Sequence, residues 1–183
     1  MSEPGAPAAD GGTAEWPVRL HGVLRRAGVV QVAYVPDAGH ARLIELCRDD
    51  RAMKAVVLTS EQEGVGVLAG AWLGGERGVL LMQSSGVGNC INVLSMIQVC
   101  GLPLLIIVTM RGEWGEFNPW QVSMGQSAEQ CLRAQGVIVE RVVDAERIAA
   151  AVEAAARLAF NSSRAVAVLI SQRVVGTKTF GED

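Results

Sequence analysis

The sequence contains little histidine and few aromatic residues. Only two histidines, His21 and His40, occur among 183 residues, and 4% of the residues are aromatic. The four cysteines form no CxxC pair and show no spacing typical of metal ligands. These absences argue against a zinc site and against a histidine-based catalytic triad, so no metal site is expected on this chain. They favour reduced cysteines within the core.

The sequence also lacks the features of nucleic-acid-binding and membrane proteins. The formal net charge is −3, with charges of both signs interspersed, so no basic surface for nucleic acid is indicated. The longest apolar run, around residues 102–108, is too short to span a bilayer, and no signal peptide opens the sequence. We therefore expect a cytoplasmic protein that binds neither nucleic acid nor membranes.

Aliphatic and small residues dominate, and half of all residues are hydrophobic. A chain of this length forms one domain in most proteins. Residues 1–15 are polar and rich in alanine, glycine and proline, a composition typical of a disordered tail. We expect one folded domain over residues 16–172 and a C-terminal tail over residues 173–183.

Helical and strand patterns alternate along this domain, and several strands are continuously apolar, as are strands covered on both faces. The patterns predict an α/β fold with three layers, in which helices cover both faces of a six-stranded, mostly parallel sheet. The predicted strands are residues 30–35, 54–59, 78–82, 102–109, 137–142 and 165–170, and the predicted helices are 17–27, 39–50, 61–73, 88–99, 124–135 and 145–160.

Three junctions that follow predicted strands have unusual sequences: TSEQEGVG from Thr59, QSSGVGN from Gln83, and the long loop at residues 110–125. Because the carboxyl ends of parallel strands meet at one edge of a sheet, all three can form one site. The phosphate-binding fingerprints are absent, since GxGxxG would need glycine at Ile91 and no GKS or GKT occurs. The residues of QSSGVGN alone favour a tight turn with close helix packing.

Glu61 and Glu63 begin the helix after the second predicted strand. An acid in a first helical turn gains about 0.3–1 kcal/mol from the helix dipole, and that ordinary role suits both residues. A carboxyl group in an apolar pocket instead has a raised pKa and can donate a proton. Both interpretations of Glu61 stay open from the residues alone. The small residues behind it allow a flat ligand or another backbone to approach: Gly64, Gly66, Ala69, Gly70 and Ala71.

Together these segments resemble the pyrimidine-binding domain of thiamine-diphosphate-dependent 2-oxoacid decarboxylases. The similarity is strongest to the alpha subunit of sulfopyruvate decarboxylase and to the matching half of phosphonopyruvate decarboxylase, and it covers about residues 18–170. It depends on four patterns in order: E-x-x-G-V-G-x-x-A-G-x-x-L, MQ-x-SG-x-GN, an apolar strand followed by RGE, and Q-x-x-MG.

The resemblance implies roles for individual residues. Glu61 matches the glutamate that bonds N1′ of the cofactor's aminopyrimidine and favours its imino tautomer, whereas Glu63 supports the helix start. Ser85, Gly86 and Asn89 are implied to lie beside the aminopyrimidine. Gln121 and His40 are implied to act at the reacting centre. Asp37, His40 and Gln121 are implied to contact the substrate. Arg111 and Glu113 are implied to hold the long loop in place. An ordinary, partly exposed loop histidine remains the alternative for His40.

The sequence also departs from these relatives. Ser84 stands where an asparagine is frequent, and the long loop carries Trp114, Phe117 and Trp120. These aromatic residues either shape an apolar substrate pocket or become buried at a subunit interface, where aromatic side chains are enriched. Both interpretations stay open.

The family's diphosphate-binding half carries a GDG…N motif, and no GDG occurs in this sequence. The resemblance therefore implies a beta subunit that carries this motif and holds most of the Mg²⁺ and diphosphate contacts, in an α2β2 or larger assembly. The implied function is decarboxylation of a small, 3-sulfopyruvate-like 2-oxoacid to an aldehyde and carbon dioxide. Alternatives are a thiamine-dependent carboligase or acyl-transfer subunit for a different, aromatic 2-oxoacid, and a non-catalytic regulatory binding subunit.

Overall fold

The computed structural model describes residues 15–177. All six predicted strands occur in it, and the element order follows the sequence pattern. The strands are β1 Val29–Tyr34, β2 Lys54–Val57, β3 Arg77–Gln83, β4 Leu104–Thr109, β5 Ile138–Val142 and β6 Ala165–Ile170. The helices are α1 Trp16–Arg26, α2 Ala41–Asp49, α3 Glu61–Leu73, α4 Ser84–Cys90, α5 Leu94–Cys100, α6 Val122–Ala134, α7 Ile148–Ser162 and α8 Gln172–Val175.

The strands form one sheet in the order β2-β1-β3-β4-β6-β5. Every neighbouring pair is parallel, which confirms the predicted fold class. From β1 the chain continues to β2 on one side and then to β3 on the other. Such a change of direction opens a crevice at the carboxyl ends of the two strands.

Strand β4 shows how the sheet separates two apolar cores. Its residues alternate between faces, as side chains of a strand do. Leu105 and Ile107 pack with α1, α2 and α7, whereas Leu104, Ile106 and Val108 pack with α3, α4, α5 and α6. All six residues of β4 are buried. The uninterrupted apolar run LLIIVT is therefore explained by a central strand that helices cover on both faces.

The segment QSSGVGN is helical, so the tight turn expected there is wrong. The predicted helix over residues 88–99 corresponds to two helices, α4 and α5, and α4 begins at Ser84. Glycine is less favourable in a helix than alanine by about 1 kcal/mol. Gly86 and Gly88 therefore lower the helix propensity of this segment, and the sequence alone did not indicate α4. Tertiary packing overrides that preference, since Gly86 is buried against Glu61.

Helix α8 extends the packed domain beyond the boundary expected at residue 172. Val174 is buried in the same core as α1 and α7, so residues 173–175 are not part of a tail. Within the predicted N-terminal tail, Glu15 pairs with Nη2 of Arg19 at 2.8 Å. The rest of both predicted tails, residues 1–14 and 178–183, lies outside the described residues.

Between residues 15 and 177, no helix is long and apolar enough to cross a bilayer. The cytoplasmic location stays a prediction.

Candidate active site

The segments that follow β1, β2, β3, β4 and β6 all emerge at the carboxyl edge of the sheet. Since the strands are parallel, this edge collects the three unusual junctions of the sequence, as predicted. The register places Gln83, the last residue of β3, beside Thr109, the last residue of β4. The crevice between β1 and β3 opens at this same edge of the sheet.

The start of α3 is fixed by Glu63 rather than by Glu61. Ser60 is extended and directly precedes the helix without a side-chain capping bond. The carboxylate of Glu63 reaches back and accepts a hydrogen bond from the backbone N–H of Thr59 at 3.0 Å. This contact confirms the helix-start role predicted for Glu63, and it leaves the carboxyl group of Glu61 available for another role.

The carboxyl group of Glu61 lies between α3 and α4. Glu61 is only 6% exposed, and its Oε2 accepts a hydrogen bond from Nδ2 of Asn89 at 2.7 Å. A Cβ atom at Gly86 would lie 2.4 Å from Oε1 of Glu61, so any larger residue there would displace the carboxyl group of Glu61. Burial, with the charge of Glu61 as a second cause, raises the pKa of the Cys90 thiol to about 12.

The two serines at the start of α4 differ in their surroundings. Ser84 is buried; its Oγ accepts from the backbone N–H of Arg111 at 3.0 Å and donates to the carbonyl of Arg111 at 3.1 Å. Ser84 thereby joins the chain after β3 to the chain after β4. Ser85 lies in the first turn of α4 and is half-buried. The structure thus brings Glu61, Gly86 and Asn89 into contact and places Ser85 one residue before Gly86.

Asp37 and His40 form a second group at the same edge. The side chains are 6% and 0% exposed, and Nδ1 of His40 lies 3.1 Å from Oδ2 of Asp37. The same oxygen accepts a hydrogen bond from Thr109, so Asp37 reaches from the end of β1 across β3 to the end of β4. His40 is therefore buried rather than a partly exposed loop residue.

The pKa of Asp37 is lowered despite its burial. Burial acts to raise that pKa, but the hydrogen bond and charge of His40 oppose it. Hydrogen bonds from Thr109 and from the backbone N–H of Gly39 add to the lowering. Asp37 consequently carries its negative charge at neutral pH.

The long loop after β4 is folded around Glu116, a residue that the sequence analysis missed. Both carboxylate oxygens of Glu116 accept hydrogen bonds from the guanidinium of Arg111, at 2.6 and 2.7 Å. The side chain of Glu116 is 3% exposed, and Arg111, chiefly through these hydrogen bonds, lowers its pKa to about 2. Backbone N–H groups of Gly112 and Asn118 also donate to Glu116. No motif distinguishes this glutamate from other loop acids, so only the fold reveals its role.

A second set of bonds ties the loop to the start of α8. Oε1 of Glu113 accepts from Oγ of Ser171 at 2.8 Å and from the backbone N–H of Gln172 at 2.7 Å. In return, Oε1 of Gln172 accepts from the backbone N–H groups of Glu113 and Trp114, both at 3.1 Å. Arg111 and Glu113 hold the loop, as expected, but their partners Glu116, Ser171 and Gln172 were not predicted.

Gln121 lies at the end of this loop, in the 3₁₀ turn Pro119–Gln121 that precedes α6. The backbone is tightly packed there: a Cβ atom at Gly112 would lie 2.0 Å from the carbonyl oxygen of Gln121. Gly112 also has a φ of 76°, in the left-handed region that favours glycine. These constraints fix the backbone at Gln121 and therefore the direction in which its side chain projects.

Two buried side-chain polar atoms in residues 15–177 have no hydrogen-bond partner: Nε2 of His40 and Oε1 of Gln121. Buried polar atoms are nearly always paired, because an unpaired one costs about 1–3 kcal/mol. Both atoms belong to residues that the sequence analysis assigned to the reacting centre. An unpaired atom at this edge is available to a ligand.

The aromatic residues of the loop are exposed. Trp120 is 87% exposed, Trp114 43% and Phe117 39%. The guanidinium of Arg173 lies 4.7 Å from the centre of the Trp114 ring. Within residues 15–177, Trp120 is therefore left uncovered.

The amino-acid sequence matches a known family of cofactor-binding domains. Residues 19–130 match the family described as thiamine pyrophosphate enzyme, N-terminal TPP binding domain. The chain belongs to this family. The matched range includes Glu61, Gly86, Asn89 and Gln121, and membership confirms the resemblance noted from the sequence motifs.

Curated relatives of the chain are decarboxylases. The sulfopyruvate decarboxylase subunit alpha of Methanococcus maripaludis is 34% identical over 145 residues, which cover 79% of this chain and 87% of that protein. The phosphonopyruvate decarboxylase of Streptomyces hygroscopicus is 41% identical over 94 residues, or 51% of this chain and 23% of that protein. This family member therefore matches nearly the whole of an alpha subunit and a small part of a longer enzyme.

A solved structure shares the fold. The 2-oxoglutarate:ferredoxin oxidoreductase from Magnetococcus marinus superposes with a TM-score of 0.70 at 17% sequence identity. The superposition covers 90% of this chain and 29% of that one. At this identity the similarity shows a common architecture.

Proposed function

We propose that this chain is the alpha subunit of a two-subunit, thiamine-diphosphate-dependent decarboxylase. Its substrate is a small, 3-sulfopyruvate-like 2-oxoacid, and its products are an aldehyde and carbon dioxide. The family membership and the extent of the match to a sulfopyruvate decarboxylase subunit alpha support this function over a carboligase or a non-catalytic subunit.

The observation that carries the proposal is the position of Glu61. A carboxyl group that is 6% exposed, held by Asn89 at 2.7 Å and in contact with the backbone at Gly86, fits the ring nitrogen of an aminopyrimidine. Thiamine diphosphate, when bound, supplies an acidic ring carbon that adds to the 2-oxoacid and accepts the electrons released with carbon dioxide. Glu61 would hydrogen-bond that ring nitrogen through its Oε1 atom, and Asn89 fixes the orientation of the carboxyl group through Oε2.

The neighbouring residues provide room and orientation. Gly86 leaves the space that the carboxyl group of Glu61 occupies, and Ser85 lies at the preceding position of α4. On α3, a Cβ atom at Gly66 or at Gly70 would meet no atom within 4 Å. This open surface of small residues suits a flat ring or the face of a partner subunit.

The substrate side of the site comprises Gln121, His40 and Asp37. Oε1 of Gln121 and Nε2 of His40 are buried without a partner. The amide oxygen of Gln121 can accept one hydrogen bond from a bound ligand, and the ring nitrogen of His40 can accept or donate one. Asp37 holds Nδ1 of His40 at 3.1 Å and thereby fixes the direction of Nε2.

The diphosphate group and Mg²⁺ are assigned to a beta subunit that carries the GDG…N motif. In residues 15–177, no group of three or more histidine, cysteine, aspartate or glutamate side chains is suited to a metal ion. The alpha-subunit name of the archaeal relative supports a separate partner. The proposed assembly is α2β2 or larger.

Co-expression with candidate beta subunits tests this function. Each chain that carries GDG and a downstream asparagine is co-purified with the 183-residue chain and supplied with thiamine diphosphate and Mg²⁺. Carbon dioxide release is then measured over a panel of 2-oxoacids that includes 3-sulfopyruvate, phosphonopyruvate and phenylpyruvate. We expect release from a small anionic 2-oxoacid with the pair and none with either chain alone. Full activity of this chain by itself, or release only from phenylpyruvate, would contradict the proposal.

A further inference from the structure

A small cavity lies at the opposite edge of the sheet from Glu61. It has a volume of about 240 Å³ and is bounded by the end of α1, the beginning of β3 and the second half of α7. Three of its side chains are arginines, whereas Glu153 is its single carboxylate. The lining therefore has a formal excess of two positive charges.

Arg77 forms a fixed, charged wall of this cavity. Its Nη1 donates to the carbonyl oxygen of Ala27 at 2.9 Å, and its guanidinium lies 5.1 Å from the centre of the Phe160 ring. Phe160 is itself stacked on Trp72, with ring centres 6.2 Å apart. The guanidinium is thus oriented by a carbonyl and a ring, and no carboxylate in the described residues forms an ion pair with it.

The other two arginines are available to a ligand. Arg26 ends α1, and Arg157 lies in the second half of α7. Neither forms an ion pair with any carboxylate among residues 15–177, although Glu153 lines the same cavity one helical turn before Arg157. The amide of Asn161 adds a further hydrogen-bonding group.

We propose that this cavity binds a small oxyanion with two negative charges, namely a phosphate or a sulfonate-carboxylate. Guanidinium groups recognise such oxyanions through paired, charge-assisted hydrogen bonds. The volume is below the usual range of about 300–1,000 Å³ for organic ligands, which favours a compact anion over a nucleotide. The bound anion ties the end of α1 to α7, far from the carboxyl edge, and the site is separate from the proposed catalytic one.

Arg26 has an ordinary alternative role, because it lies in the last turn of α1 and a positive side chain there interacts favourably with the helix dipole. That role predicts that replacement of Arg26 lowers the stability of the chain equally with and without anions. An anion site predicts instead that the anion raises the melting temperature and that replacement removes this rise. The two roles are therefore separated by the dependence on anion concentration.

The test is thermal unfolding of the full chain in sodium phosphate or sulfoacetate, each compared with sodium chloride at equal ionic strength. We expect a saturable rise in melting temperature with at least one of these dianions and none with chloride. R26Q/R157Q should need at least tenfold more anion for half the rise. R51Q/R164Q, which removes two exposed arginines outside this cavity, should behave as the wild type. A rise that chloride reproduces, or that persists in R26Q/R157Q, would overturn the site.

A second variant keeps the test decisive if R26Q/R157Q does not fold. Glu153→Gln removes the single carboxylate of the cavity at an exposed position of α7. The apparent affinity for the anion should then increase at least threefold, whereas the dipole role predicts no anion dependence at all. Unchanged or weaker affinity in Glu153→Gln would contradict the proposal. Amide chemical shifts on titration should change first at Ala27, Arg77 and Phe160 if the anion occupies this cavity.

Discussion

Glu61 and Gly86 are in direct contact: a methyl group at position 86 would lie 2.4 Å from Oε1 of Glu61. Real Cβ atoms do not approach a carboxylate so closely, so Gly86→Ala must displace the carboxyl group. We expect Gly86→Ala to lower the decarboxylase activity of the assembled enzyme at least tenfold, which corresponds to about 1.4 kcal/mol of barrier. Carbon dioxide release at saturating cofactor measures this effect.

Gly66→Ala is the matched control for stability. A Cβ atom at Gly66 meets no atom within 4 Å, so alanine should stabilise the isolated chain by up to about 1 kcal/mol through helix propensity. Gly86→Ala should bring no such gain, because its methyl group collides with Glu61. Equal gains in both variants, together with full activity of Gly86→Ala, would show that the contact does not position Glu61.

Gln121 and Gln126 allow the unpaired amide to be tested against a paired one. Oε1 of Gln121 is buried without a partner, whereas Nε2 of Gln126 donates to the carbonyl oxygen of Gly112 at 3.0 Å. Gln121→Leu should leave the unfolding free energy of the isolated chain unchanged or higher but lower the activity of the complex. Gln126→Leu should cost about 1 kcal/mol of stability. A marked loss of stability in Gln121→Leu with unchanged activity would assign Gln121 a structural role.

Glu116 should make the stability of the chain depend on pH in the acid range. Arg111 lowers the pKa of Glu116 from 4.5 to about 2, so its carboxylate stabilises the folded state fully above pH 4.5 and loses this contribution as the pH falls towards 2. Glu116→Gln should therefore cost about 1.5–3 kcal/mol at pH 7, and less at pH 3. Urea unfolding at pH 7, 5, 4 and 3 measures the difference.

The control for Glu116 is Glu45→Gln, which removes an exposed partner of Arg42. An exposed ion pair contributes roughly 0–1 kcal/mol, so Glu45→Gln should change stability little at any of these pH values. If Glu116→Gln and Glu45→Gln gave the same small change, the loop would not depend on Glu116.

The four cysteines should differ strongly in reactivity. Burial raises the pKa of Cys47 and of Cys90 to about 12, with Asp50 and Glu61 respectively as second causes. Cys100 is exposed and Cys131 is partly exposed. Iodoacetamide at pH 8 should therefore label Cys100 first and Cys131 next, because the thiolate is the reactive form. Labelling of Cys90 in the folded chain at the rate of Cys100, measured by peptide mass spectrometry, would contradict the packing of α4 against α3.

The sequence was sufficient for the sheet, and its motifs selected residues that lie together where α3 packs against α4. Uninterrupted apolar runs such as the one from Leu104 fit only strands that are covered on both faces. The family motifs named Gly86 and Asn89, and both contact Glu61 in the structure. All four cysteines were predicted to lie in the core. Cys47 and Cys90 are buried, whereas Cys131 is only partly buried and Cys100 is exposed.

Other features depend on contacts between residues that are distant in sequence. Helix α4 was expected to be a turn, because the packing of Gly86 on Glu61 cannot be seen in the glycine content alone. The contact between Asp37 and Thr109 crosses 72 positions of the chain. Glu113 and Gln172 are 59 positions apart and exchange hydrogen bonds. No local pattern carries such information, so the sequence predicted the candidate residues but not the network that orients them.

The role of Glu61 is tested most directly by Glu61→Gln in the reconstituted complex, with Glu63→Gln as its control. Glu61 is buried against Gly86, whereas Glu63 is exposed and caps the backbone of Thr59. We predict that Glu61→Gln lowers kcat more than tenfold, about 1.4 kcal/mol or more of barrier, while Glu63→Gln changes kcat less than threefold. A Glu61→Gln enzyme whose kcat remains within tenfold of the wild type would contradict the assignment of Glu61 as the acid that faces the cofactor.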